Sequence, residues 1–164
     1  IFDEKRVLSG ITKRNLKNYS PYGFTISNAK IADNVKLELN RMDLAEFLGI
    51  SRNNIAIQKQ IHSDIIRVMR TENNEISESD AMITNEKNFF ISISIADCAA
   101  LLIFDPINEI IAGVHSGWRG TQQKIALKTI FRMNELFNSK AEDLLIYISP
   151  CAGGDTLPRG GSRL

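Results

Sequence analysis

The residues of this chain best suited to chemistry are its scarce histidines and cysteines, of which the 164 residues hold two each. One cysteine lies in Ala96-Asp97-Cys98 and one histidine in Val114-His115-Ser116-Gly117-Trp118-Arg119-Gly120. The other histidine, His62, follows an apolar, β-branched stretch. Scarce, reactive side chains at the ends of such stretches indicate a functional site.

The first candidate chemistry is metal binding by His62, Cys98 and His115. Two imidazoles and a thiolate match the three protein ligands of a catalytic zinc site, which keeps a fourth position open for water or substrate. Their wide spacing forms no local motif of the CxxC or HExxH type. The alternative interpretation is a cysteine buried by packing on an apolar strand, as free cysteines often are. The residue types alone leave both interpretations open.

Asp97 is the candidate acid or base of this region. At a strand end its carboxylate could orient a histidine, as acids next to metal ligands commonly do, or exchange a proton during a reaction. The alternative is a turn or capping residue.

The glycine-flanked turn from Gly117 to Gly120 leads into a predicted helix, where backbone amides and Arg119 could hold an anion. It is no Walker loop, since GxxxxGK[ST] is absent. The alternative is a tight turn with Trp118 in the core and Arg119 in solvent. Arg41, in the first predicted helix, is either a second anion-binding residue or a surface residue.

Apolar periodicity predicts a helix over residues 33–48, with Asp33 as its N-cap and Gly49 as its stop. A second helix is predicted after Gly120, ending near Asn138-Ser139. Short β-branched or apolar runs predict strands over residues 55–61, 65–69, 80–84, 89–95, 100–104, 110–115 and 144–148. Residues 110–149 have the strand, helix, strand order of a right-handed crossover unit. We therefore expect a mixed, layered domain of helices and strands.

Composition narrows the class of partner. The chain has 20 Lys and Arg against 19 Asp and Glu, without a long run of like charge, which argues against nucleic-acid or membrane partners. Its longest apolar stretch is too short to span a bilayer, and we identify no secretory leader. Two cysteines far apart in sequence make no disulfide scaffold. We expect a soluble, cytoplasmic protein with one domain over residues 1–152 and an irregular tail over 153–164.

Several blocks follow one another in a characteristic order: Gln60-x-His62, Ser79-Asp80-Ala81-Met82-Ile83-Thr84, Ala96-Asp97-Cys98, Asp105 and Val114-His115-Ser116-Gly117-Trp118-Arg119-Gly120. Together with Asn40-Arg41 they resemble the laccase-domain, or polyphenol-oxidase-like, family, whose members are described as purine nucleoside phosphorylases. The resemblance covers residues 12–150.

The resemblance implies an α+β fold, a layered mixed β-sheet sandwich with flanking helices, shared with toxin-like cysteine hydrolases. It implies zinc-dependent phosphorolysis of adenosine, inosine, guanosine or methylthioadenosine, with an accompanying adenosine deaminase activity. The family's metal ligands correspond to His62, Cys98 and His115. In our hypothesis Asp97 joins these three as a catalytic residue, and Arg41 or Arg119 holds phosphate or the nucleoside.

Family members continue well beyond the segment that ends here at residue 154. Residues 1–152 are therefore expected to form a single laccase-domain-like catalytic domain that is shortened at its C-terminus. The partners implied are small molecules, a purine nucleoside and phosphate.

Three alternatives remain. Cys98 could be a nucleophile with His115 or His62 as its base, as in Cys-His hydrolases. The same three ligands could bind copper for phenol oxidation, although a multicopper oxidase needs many more histidines. A shortened domain could also be an inactive binding module.

Overall fold

The computed structural model describes residues 1–2, 5–12, 24–27 and 34–153. Its α-helices are α1 Asn34–Leu48, α2 Trp118–Gln122 and α3 Ile125–Phe137. Its strands are β1 Ile55–Ile57, β2 Ile66–Val68, β3 Ala81–Thr84, β4 Phe90–Ser92, β5 Ala99–Asp105, β6 Ile110–Ser116 and β7 Leu145–Ile148. No helix in these described residues is long and apolar enough to cross a membrane.

Five strands form the larger sheet, in the order β2-β3-β6-β5-β7. The pairing of β2 with β3 is parallel, and the other three pairings are antiparallel. Because β6 and β7 both run antiparallel to β5, they are parallel to each other, with β5 between them. The predicted order of strand, helix and strand is therefore confirmed by β6, α3 and β7. In the sheet, β5 lies between the two strands of this unit.

The alternation of side chains along β6 directs its two faces to different layers. Ile110, Ala112 and Val114 belong to a core cluster with Ile125 and Met133 of α3. Gly113 faces the other way, where a Cβ atom built on it would lie 2.8 Å from side-chain carbons of both Ile91 and Ile93. The missing side chain lets the smaller sheet pack closely against the larger one.

The smaller sheet consists of β1 and β4, paired in parallel. Its inner face adds Ala56 to a cluster with Met82 and Ile91, and its outer face adds Ile55 and Ile57 to a cluster with Ala45 of α1. The layers therefore run α3, five-stranded sheet, two-stranded sheet, α1. This confirms the expected layered α+β sandwich with flanking helices.

The first predicted helix is confirmed over Asn34–Leu48 and ends where predicted, since Gly49 takes a positive φ of 68°. Its predicted N-cap, Asp33, lies outside the described residues. Of the predicted tail, the structure describes only Gly153.

The second predicted helix is two helices rather than one. Between them Lys124 takes a left-handed conformation, with φ 60° and ψ 40°. The break follows a turn in which the Lys124 amide donates to the carbonyl oxygen of Thr121 at 3.0 Å. It places Ile125 at the start of α3 with its side chain fully buried under the larger sheet.

Several strands are shorter than predicted. The run predicted over 55–61 leaves regular pairing after Ile57. Lys59 keeps an isolated parallel bridge to Glu78, and further along the chain the amides of Ile61 and Ser63 donate to the carboxylate of Asp80. The Asp80 side chain, directly before β3, thus takes the place of a strand partner and holds the segment that contains His62.

Candidate functional site

His62, Cys98 and His115 come from three separate segments and converge at one place. Their ligand atoms all lie within 4.8 Å of one another. The Cys98 Sγ atom is 3.7 Å from Nε2 of His62, and the two imidazole rings stand edge to face with centroids 4.9 Å apart. The structure therefore brings together the three predicted metal ligands, which line one wide groove.

The carboxylate of Asp80 organises both histidines from beneath. It is fully buried, and its Oδ1 atom accepts hydrogen bonds from Nδ1 of His115 at 2.7 Å and from the amide of His62 at 3.0 Å. Its Oδ2 atom accepts from the amide and hydroxyl of Ser63, both at 2.7 Å. Because a carboxylate can only accept, Nδ1 of His115 is the donor in this hydrogen bond, and Nε2 is the ring nitrogen left to serve as a ligand.

Burial by itself would raise the pKa of Asp80. The hydrogen bonds from His115, Ser63 and the backbone of Ile61 outweigh burial and lower that pKa below its usual value. Asp80 therefore remains a carboxylate at neutral pH and can hold the histidines in place without itself taking up a proton.

His62 has a positive φ of 61°, a conformation that a non-glycine residue adopts only when its surroundings hold it there. The hydrogen bond from its amide to Asp80 supplies one such restraint. A second comes from Gln60, whose side-chain amide donates to the carbonyl oxygen of Ser94 at 2.7 Å and accepts from the Ser94 amide at 2.8 Å. This pair of hydrogen bonds between Gln60 and Ser94 connects the segment that carries His62 to the segment that leads to Cys98.

Cys98 lies half-buried in a bend immediately before β5. Burial raises the pKa of its thiol, and the negative charges of Asp97 and Asp80 and the thiol of Cys151 raise it further. Without a nearby positive charge the sulfur is therefore a thiol rather than a reactive thiolate. A bound cation would reverse this balance, since a coordinating thiol loses its proton.

Gly117 closes the cluster from the side of the β6-α2 turn. A Cβ atom built there would lie 2.5 Å from Cδ2 of His62 and 3.3 Å from the sulfur of Cys98. A side chain at this position would overlap the ring of His62. Glycine is therefore required at position 117, because the ring of His62 fills the space that a side chain would need.

Asp97 lies beside the cluster in the same bend as Cys98, and it is exposed. The acid that orients a histidine is Asp80, a role that residue types alone did not reveal. The structure leaves Asp97 as an exposed carboxylate next to the cluster, and its role in proton transfer stays a prediction.

The two predicted anion-binding arginines occupy different environments. Arg41 is 3% exposed, donates from Nε and Nη2 to the carbonyl oxygen of Ile26, and pairs with Glu38. Arg119 is exposed, with its guanidinium carbon 5.0 Å from the ring centroid of Trp118. Trp118 is 69% exposed, so the interpretation of this residue as a core residue is wrong.

Known proteins resemble this chain in sequence. The family model described as multi-copper polyphenol oxidoreductase laccase matches residues 11–157. A purine nucleoside phosphorylase of Clostridium acetobutylicum is 35% identical over 127 residues, which are 77% of this chain and 50% of that protein. The purine nucleoside phosphorylase YlmD of Bacillus subtilis is 26% identical over 93% of this chain and 59% of its own length. The chain thus spans about half the length of the curated relatives it matches.

The fold is also found among solved structures. The crystal structure of the hypothetical protein YfiH of Bacillus licheniformis superposes with a TM-score of 0.76 at 21% identity, covering 82% of this chain and 54% of that one. With the family model matching most of the sequence, the chain belongs to the multi-copper polyphenol oxidoreductase laccase family, several of whose relatives carry the name purine nucleoside phosphorylase.

Proposed function

We propose that this chain is a zinc-dependent purine nucleoside phosphorylase acting on adenosine, inosine, guanosine and methylthioadenosine, with an accompanying adenosine deaminase activity. The observation that carries the proposal is the convergence of His62, Cys98 and His115 within 4.8 Å, in a chain whose relatives are named for that phosphorylase. The proposed partners are the nucleoside and phosphate. The proposed compartment is the cytoplasm, where cysteines such as these two free thiols stay reduced.

The donor set suits zinc. Two imidazoles and a thiolate are ligands that zinc prefers, and three protein ligands leave one position for water or substrate. The hydrogen bond from Nδ1 of His115 to Asp80, which leaves Nε2 for a ligand, favours an ion between the three side chains. Copper also accepts these ligands, but two histidines in the printed sequence do not suffice for a multicopper oxidase. Zinc is therefore the proposed metal and copper the alternative.

Zinc bound there would supply a Lewis acid that polarises an oxygen of the substrate or lowers the pKa of a bound water. The protein's own residues provide the remaining functions. Asp80 keeps His115 in one tautomer and one orientation, so the ligand nitrogen needs no rearrangement. Asp97, exposed beside the cluster, is the proposed acid or base that moves a proton to the departing purine or from water.

A bound phosphate requires positively charged side chains near Asp97. Arg119 lies two residues after Gly117, in the first turn of α2, and is exposed, which makes it the more accessible of the two proposed anion-binding residues. Arg41 is the second, and its pairing with Glu38 and Ile26 would have to be exchanged for a phosphate oxygen.

A second candidate function rests on the 3.7 Å separation of the Cys98 sulfur and Nε2 of His62. This separation suits a Cys-His nucleophile and base, as in hydrolases. The raised pKa of Cys98 weighs against it, because such nucleophiles depend on a lowered thiol pKa.

The test combines elemental analysis of protein purified without added metal with an assay of base release from inosine and adenosine, with and without phosphate. We expect near-stoichiometric zinc and phosphate-dependent base release, and deamination of adenosine that needs no phosphate. Cys98→Ala should lose zinc and both activities together, whereas Arg132→Ala, an exposed change in α3, should lose neither. Turnover that survives in folded, metal-free Cys98→Ala would refute the proposal. Turnover that survives chelation but is abolished by thiol alkylation would establish the hydrolase alternative.

A further inference from the structure

The two cysteines, distant in sequence, lie opposite each other in the fold. The register of β5 and β7 pairs Leu101 with Ile148, so paired residue numbers add to the same total along the ladder. The pairing continues beyond the strands. The amide of Ser149 donates to the carbonyl oxygen of Ala100, and the amide of Ala152 donates to that of Asp97, both at 2.9 Å.

Hydrogen-bonded pairs recur at every second position of a regular antiparallel ladder, and these two contacts are three positions apart, so the regular pattern is interrupted between them. The contact of Ala152 with Asp97 makes these two residues a hydrogen-bonded pair, and Cys98 and Cys151 are the next residues inward, so they face each other across the two segments. Residues opposite each other in antiparallel strands have Cα atoms about 4.5–5.5 Å apart. A disulfide needs a Cα separation of about 4.4–6.8 Å. The backbone therefore brings the two sulfurs within bonding reach through side-chain rotation and small adjustment of the bend.

The surroundings of the two thiols differ. Cys151 is exposed and Cys98 half-buried. The cluster that could hold a metal consists, among the described residues, of His62, Cys98 and His115 without Cys151. Cys151 is thus a neighbour of one metal ligand without being part of the cluster.

We propose that Cys98 and Cys151 form a reversible disulfide that withdraws the Cys98 sulfur from the histidine cluster. The oxidant would be a small-molecule disulfide such as oxidised glutathione. The accessible Cys151 thiolate attacks one sulfur of the oxidant and releases one reduced thiol, leaving a mixed disulfide on Cys151. The Cys98 thiol then gives up its proton to solvent, and its sulfur attacks the Cys151 sulfur and releases the second reduced thiol. The two cysteines lose two protons and two electrons, and the oxidant gains the electrons.

The consequence for the metal rests on the proposed function. A disulfide sulfur has no thiolate charge, so oxidation leaves two imidazoles in place of the three ligands that a zinc site of this type requires. Formation of the disulfide can be tested without metal or substrate, so failure of the proposed function and failure of this inference are separately visible.

The experiment incubates the metal-free full chain with a redox series of reduced and oxidised glutathione. We expect the free-thiol count to fall from two to zero, the intact mass to fall by two hydrogen atoms, and a peptide map to link Cys98 with Cys151. Cys151→Ser, an exposed and nearly isosteric change, should instead leave Cys98 as a free thiol, because the half-buried Cys98 reacts only after the exposed Cys151 has been oxidised. Unlinked glutathione adducts on both cysteines, or links only between chains, would overturn the inference.

A zinc titration of the same samples provides the second readout. We expect oxidised wild-type protein to lose zinc binding and recover it after reduction, and Cys151→Ser to bind zinc equally before and after mild oxidation. Zinc binding that is unchanged in protein shown to contain the intramolecular disulfide would overturn the switching role of Cys151. Cys151→Ala repeats the comparison should the serine variant fold poorly.

Discussion

Replacing Asp80 by Asn tests whether this buried carboxylate organises the site. The substitution keeps one oxygen, which can still accept from His115, and replaces the other by an amide that cannot accept. The backbone amides of Ile61 and Ser63 then lose their acceptor. Each unsatisfied buried donor costs about 1–3 kcal/mol, and because Ile61 is partly accessible to water we expect the lower end, a total of about 2–3 kcal/mol.

Metal affinity should fall as well, because Asn holds the Nδ1 proton of His115 less firmly and no longer carries a negative charge. Loss of such a supporting acid typically costs about 10–100-fold in metal affinity. The assay is urea unfolding of the metal-free protein, followed by a competition titration of zinc on the folded protein. Asp64→Asn is the matched control, since Asp64 pairs with Lys128 at the surface, where ion pairs contribute little.

The pH dependence of the free energy of unfolding tests the charge of Asp80 separately from its packing. The folded pKa of Asp80 is lowered, so its contribution to stability is fully present above the unfolded pKa of an aspartate, about 3.9. The contribution is lost as the pH falls through the lower, folded pKa. The stability difference between wild type and Asp80→Asn should therefore shrink as the pH falls through the lowered pKa of Asp80. Equal stability and equal zinc affinity of wild type and variant would refute the role assigned to Asp80.

Three further substitutions test individual backbone and packing features. Gly117→Ala should weaken zinc binding by displacing the ring of His62, measured by the same titration, and unchanged affinity would mean that the turn moves freely. Gly113→Ala should lower the free energy of unfolding by about 1–3 kcal/mol through overpacking between the sheets, and an unchanged urea midpoint would contradict the close packing. Lys124→Gly should raise the free energy of unfolding by about 0.5 kcal/mol, because glycine adopts the left-handed conformation without strain. Lys128→Gly, inside α3, should lower the free energy of unfolding by about 1 kcal/mol. A change of the same sign in both variants would contradict the helix break at Lys124.

The alternation and periodicity of apolar residues predict most elements of this fold because those patterns follow from which face is buried. They fail at Lys124, where no glycine or proline marks the helix break. The break depends instead on the burial of Ile125, which follows it in sequence. They also extend the first strand too far, since beyond Ile57 the chain keeps one isolated bridge, at Lys59, and then donates to Asp80, a residue distant in sequence.

The three clustered residues could be named from their scarcity and chemistry, but their proximity depends on tertiary structure. Residue types favoured Asp97 as the acid next to the histidines, because Asp97 adjoins Cys98 in sequence. The buried Asp80 was hidden by its place directly before β3. The one available signal was an aspartate opening a fully buried strand, where an ionised side chain is costly unless hydrogen-bonded.

The location of the cluster has a thermodynamic consequence for the two sheets. His62 follows β1, Cys98 lies in the connection from β4 to β5, and His115 belongs to β6 of the larger sheet. The smaller sheet pairs over only three positions in each strand, so few backbone hydrogen bonds hold its two strands together. An ion held by all three residues would act as a cross-link between the layers. Ligation would then slow amide hydrogen exchange in β1 and β4 more than in the long central strands, because opening of the smaller sheet would first require release of the ion.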